Sequence, residues 1–181
     1  MSAPVRYRPW HITSATPGAT PVFPLVSTTG SVIAASGQNT VTPASMAGIA
    51  PYQFLWVYPT VGGVGTPEIV QVGDWTTLTP TTFTTQFQYP HSGYNLVSQK
   101  PGELGPIEVG TPGQNTLLTL YMGPPALGGT VFNAPGYAFA QLSISNTMTY
   151  QPPVGFLEHT LFYTITGTGF DITIWYLAHA A

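Results

Sequence analysis

The side chains able to carry chemistry are few. There are four histidines, His11, His91, His159 and His179, six carboxylates and no cysteine. Residues two apart on a strand share a face, so a strand-borne metal site would show as an H-x-H pair, and none occurs. Glu158 and His159 are adjacent and would point to opposite faces. His159 and His179 meet only across a long closing hairpin. Each histidine therefore reads as a hydrogen-bonded boundary residue. Glycoside hydrolysis needs two carboxylates flanking a cleft. Glu103 and Glu108 sit in or beside a loop, Glu68 starts a strand, and Asp74 occupies a Gly-Asp turn, an ordinary place for aspartate. There is no Walker loop, no G-x-S-x-G and no H-E-x-x-H. The expectation is a protein that is not an enzyme, with no catalytic residue, metal, cofactor or small-molecule substrate.

The aromatic side chains offer more. Exposed Trp and Tyr present flat apolar faces with a polar edge, a surface on which sugar rings stack. Trp56 and Trp175 fall within apolar strands and read as core or interface anchors. Trp75, in a Gly-Asp-Trp turn, and Tyr94, in the stretch YPHSGYN, are the candidate ligand or interface aromatics. They support one functional reading, a carbohydrate- or receptor-binding β-sandwich such as a spike, tail-fibre or binding module.

The basic residues are Arg6, Arg8 and Lys100 alone. Phosphate binding draws on several cations, each releasing counterions, so no direct nucleic-acid contact is expected. Arg6 and Arg8 lie two apart in PVRYRPW and would point the same way on an extended chain. With Tyr7 and Trp10 they form a candidate contact to a neighbouring subunit or a lipid surface.

The elements that must position these residues read as strands. In TTFTTQFQYP, Phe83, Thr85, Phe87 and Tyr89 share one face while Thr82, Thr84, Gln86 and Gln88 share the other, a half-buried antiparallel pattern. QFLWVYP (53–59) is apolar on both faces. Further candidates are PVFPLVS (21–27), GSVIAAS (30–36), EIVQV (68–72), SGYNLVSQ (92–99), TLLTLYM (116–122) and GYAFAQLSIS (136–145). KPGELGP (100–106) reads as a turn-rich loop. HTLFYTIT, a Gly-Thr-Gly turn and FDITIWYLA read as a closing hairpin. The one helical candidate is TPASMAGIA (42–50), with Thr42 as cap and Pro43 at the first position. Some ten strands with turn signals every 8–15 residues predict an all-β protein, a single jelly-roll β-sandwich or barrel with at most one or two short helical turns. Residues 1–20 are expected to form an extended N-terminal arm and residues 21–181 the jelly-roll domain. No signal peptide and no membrane-spanning run of 18 apolar residues is expected.

Charge is the unusual quantity. Charged residues make up 5% of the chain, against about 25% in ordinary globular domains. Desolvating an ion costs several kcal/mol unless it is well paired, and interface cores are depleted of Lys, Glu and Asp. A chain this poor in ions suits a molecule whose exterior is covered by protein. Jelly roll, neutral Thr/Gly/Pro-rich surface, extended arm and self-association together resemble a viral capsid protein. The lack of a basic arm makes the chain similar to the single-jelly-roll major capsid proteins of icosahedral phages with an internal membrane, including those of Thermus phages. That resemblance implies a virion location, self-assembly into a shell with copies of itself or a second capsid protein, and contact with an internal lipid membrane. It carries no functional residue over.

Overall fold

The computed structural model describes residues 7–15, 20–22, 27–30, 36–99, 101–124, 136–152 and 156–178. The protein is all-β, a β-sandwich type of fold with no helix among the described residues. Among the described residues thirteen strands follow one another: β1 (Arg8–Ile12), β2 (Thr20–Pro21), β3 (Ser27–Gly30), β4 (Gly37–Val41), β5 (Phe54–Val64), β6 (Glu68–Gln71), β7 (Phe83–Phe87), β8 (Ser92–Ser98), β9 (Gly102–Met122), β10 (Tyr137–Ile144), β11 (Met148–Tyr150), β12 (Phe156–Leu157) and β13 (Leu161–Ala178). The chain divides into two compact units, one made of Met1–Phe23 with Lys100–Ala181, the other of Pro24–Gln99. The first twenty residues thus group with the C-terminal half of the chain.

The first unit is built on one long pair. β9 and β13 run antiparallel from Leu161 opposite Met122 to Ala178 opposite Gly102. β13 takes β1 and β2 on its other side, and β9 takes β10, β11 and β12. The closing hairpin predicted at Gly167-Thr168-Gly169 does not form. The chain passes straight through as one strand, with a register shift between Thr166 and Thr168. Gly167 sits at φ +103, and a Cβ there would lie 2.7 Å from Thr116 Cα. The glycine stands opposite Asn115 and Thr116, where β9 carries the extra residue of a bulge, the device that lets a long strand twist and bend without ending. KPGELGP is likewise no loop: from Gly102 onward it opens β9, pairing Leu104 with Tyr176. Aliphatic side chains from both long strands, among them Leu118, Leu120, Ile172 and Ile174, form the core with Tyr163, Phe170 and Tyr176. Burying each contributes roughly 1.5–3 kcal/mol.

The second unit holds a four-stranded sheet, β3-β8-β5-β6, and the pair β4-β7. Their inward faces meet in one cluster: Val41 from β4 and Phe83 and Phe87 from β7, against Leu55, Val57, Val70, Tyr94 and Leu96. The alternation read in TTFTTQF holds here, with Phe83, Thr85 and Phe87 buried and Gln86 exposed. The helix predicted over 42–50 is replaced by irregular turns. Pro43 bridges Gly30, the Ala44 amide donates to Thr29, and Ile49 closes a turn onto Met46. Ser45 then spends its hydroxyl on the Ala47 amide, a local bond that competes with helix. Residues 31–35 of the predicted GSVIAAS strand lie outside the described residues.

Candidate functional site

The N-terminal candidates lie along the C-terminal strand of their own chain. Arg8 pairs with Tyr176 and Trp10 with Ile174 in the β1–β13 register. Pro9 between them withholds an amide, which suits an edge strand. Trp10 is half-buried against the aliphatic core and its indole N–H donates to Tyr163 Oη at 3.4 Å. Tyr7 is 38% exposed and donates to Glu103 Oε2 at 3.1 Å. Burial first, then that carboxylate, pushes its phenol pKa up. Tyr7 and Trp175 both stand over Gly105, where a Cβ would meet the Tyr7 ring at 3.0 Å and Trp175 Cβ at 3.2 Å. Arg6 lies outside the described residues.

The two candidate aromatics separate. Tyr94 is fully buried between β7 and β8, 6.1 Å from the Phe87 ring, so it offers no exposed stacking face. Burial pushes its phenol up to about 12, and its hydroxyl has no hydrogen-bond partner among the described residues. Trp75 is 73% exposed. It stands in a tightly bonded turn: Asp74 Oδ1 accepts from the Thr76 amide at 3.0 Å and its hydroxyl at 2.6 Å, and the Thr77 amide and hydroxyl both donate to Asp74 O. The Thr76 hydroxyl bond holds the Asp74 carboxyl below its ordinary value.

Sequence reasoning missed a buried polar cluster. Glu68 and His91, 23 residues apart, meet with Nε2 to Oε1 at 2.7 Å. Glu68 also accepts from the Gln88 amide at 2.7 Å and the Tyr89 amide at 3.1 Å. Three donors on two oxygens suit a carboxylate and fix the turn from β7 into β8. The imidazole lies 5.4 Å from the Phe87 ring and 5.7 Å from Tyr94. Its Nδ1 has no hydrogen-bond partner among the described residues and abuts Gly65, where any Cβ would collide with it. A carboxylate-oriented imidazole is the core of many general bases, but this one has a side chain 0% exposed. The pair is a structural clasp. No sequence signal announces it, because the two residues share no motif.

The other histidines read as placed side chains. His11 bonds the Thr173 hydroxyl at 2.9 Å, and His159 is half-buried, its pKa lowered by burial against the opposing pull of Glu158. His179 lies outside the described residues. Among the described residues no group of three or more His, Cys, Asp or Glu could hold a metal ion. No protein-family model, curated protein or solved structure matches the chain.

Proposed function

We propose that the protein is a structural virion protein, a capsid subunit with jelly-roll connectivity that assembles through uncharged faces into an icosahedral shell over an internal membrane. One observation carries this reading. Among the described residues only Arg8, Glu108, Glu158 and Asp171 are both charged and exposed. Other outward positions of the strands are uncharged, among them Gln38 and Thr40 on β4, Ile69 on β6, Gln141 and Ser143 on β10, and Met148 and Thr149 on β11. The ion pair of His91 with Glu68 is a buried clasp and takes no part in these faces. Faces of this kind join without desolvating ions, which is the costly step in burying a charged surface. Partners are other copies of the chain or a second capsid protein, with Arg6 and Arg8 at a subunit or lipid contact. Electron microscopy of the concentrated protein tests the reading. Shell fragments, sheets or closed particles are expected, and a dispersed monomer at every concentration overturns it.

A further inference from the structure

Trp75 has company that the sequence did not reveal. Tyr52 is 57% exposed and Phe54 50% exposed. The Tyr52 amide donates to Val72 O at 3.1 Å and Gly73 O at 3.3 Å, which draws it to the chain entering the Trp75 turn. Phe54 pairs with Gln71, and the Gln71 amide nitrogen reaches Tyr52 O at 3.1 Å. Three exposed rings thus come from two neighbouring segments at one corner of the second unit. The corner is rigid. Gly73 donates to Thr84 O at 2.8 Å, and the Asp74–Thr77 turn is closed by the bonds given above. Tyr52 holds φ +61, a left-handed conformation that costs a non-glycine residue free energy and that persists where the surroundings fix it.

We propose that Tyr52, Phe54 and Trp75 form a platform for a neutral oligosaccharide, with Asp74 and Gln71 taking its hydroxyls. The π face of an aromatic ring is electronegative and meets the electropositive C–H face of a pyranose. Asp74 Oδ1 is occupied by Thr76, while Oδ2 accepts no bond among the described residues and Gln71 Oε1 likewise remains an acceptor. Size selects this occupant over a second copy of the chain. The three rings expose on the order of 400 Å², half the roughly 800 Å² per partner of a stable protein interface, and enough for one or two sugar rings. Aromatics held on a rigid turn also lose little entropy on binding. A shell subunit can carry such a platform on a free face, so this proposal and the assembly reading fail separately.

The test is titration of the whole protein with a panel of neutral cello-, chito-, malto- and galacto-oligosaccharides, read by calorimetry and tryptophan fluorescence. At least one series should bind saturably with a fluorescence change. Trp75→Ala should weaken it about tenfold or more, Tyr52→Ala and Phe54→Ala less, with circular dichroism unchanged. Tyr89→Ala, exposed but outside the platform, should leave affinity unaltered. A panel without a binder overturns the proposal. So does retention of affinity within about twofold in Trp75→Ala, or a Trp75→Ala variant that loses self-association while the panel shows no binding, which would assign the corner to a second copy.

Discussion

The two units reach a folded core by different means. In the first, long strands β9 and β13 pair over most of their length, and the buried core among the described residues, supplied largely by these two strands, is mostly aliphatic. In the second, no strand is longer than the eleven residues of β5, the core cluster among the described residues has ten members, and three of them are Phe83, Phe87 and Tyr94. Polar side chains tie its turns to the backbone. Glu68 holds Gln88 and Tyr89, Thr85 donates to Gln71 O at 2.7 Å, and Thr79 accepts from Thr82. A long ladder supplies its own hydrogen bonds and needs apolar volume above all. A set of short strands leaves many amides in turns, and each buried one needs an acceptor. The difference teaches where each unit is vulnerable: the first to a cavity, the second to loss of a polar group.

Leu120→Ala should show the largest effect. Leu120 is fully buried in the first unit, and truncation there costs about 3–5 kcal/mol, read as a lowered urea midpoint. Glu68→Ala should follow closely at about 3 kcal/mol, because it strands His91 and two amides. Hydrogen exchange sharpens the contrast. Amides of residues 83–98 should lose protection in Glu68→Ala while those of β9 and β13 keep it. Glu68→Gln, which retains an acceptor, should recover much of that loss. Equal, global loss of protection from both substitutions would erase the distinction between the units. The smallest effect belongs to His159. Burial holds its folded pKa below the ordinary 6.5, so the unfolded chain binds the proton first as pH falls. Its contribution is present above that value and is lost as pH drops toward the folded pKa. His159→Asn should flatten the stability profile of the wild type in that window. An unchanged profile would remove His159 as a source of acid sensitivity.

Much of the strand content was legible in the residues. The Phe83–Phe87 alternation and EIVQ at β6 mark strands because one side of each is buried and the other is not. Tyr89 breaks the pattern at 42% exposed because β7 ends at Phe87 and the Glu68 clasp turns the chain. The errors share a cause. Gly and Pro read as ends of strands at 100–106 and at 167–169, yet in the long pair they lie at or beside register shifts, and only the long partner strand reveals that. The Pro43 helix failed because its amides find acceptors in Ser45 and Thr29. At the candidate site, Trp75 was legible from its turn, and Tyr94 was not, since YPHSGYN looks solvent-facing until Phe87 and His91 close over it. Tyr52 and Phe54 join Trp75 through backbone bonds between separate segments, which no local pattern encodes.

Assembly through uncharged faces has its most direct measurement in sedimentation velocity of the purified protein across concentration and salt. From about 0.1 M to about 1 M salt the Debye length falls from ~10 Å to ~3 Å, enough to dissolve contacts that depend on exposed ions. The expected result is an average sedimentation coefficient that rises with protein concentration and is maintained or raised by salt. A single monomeric species at every concentration, or oligomers that dissociate as salt increases, would contradict it.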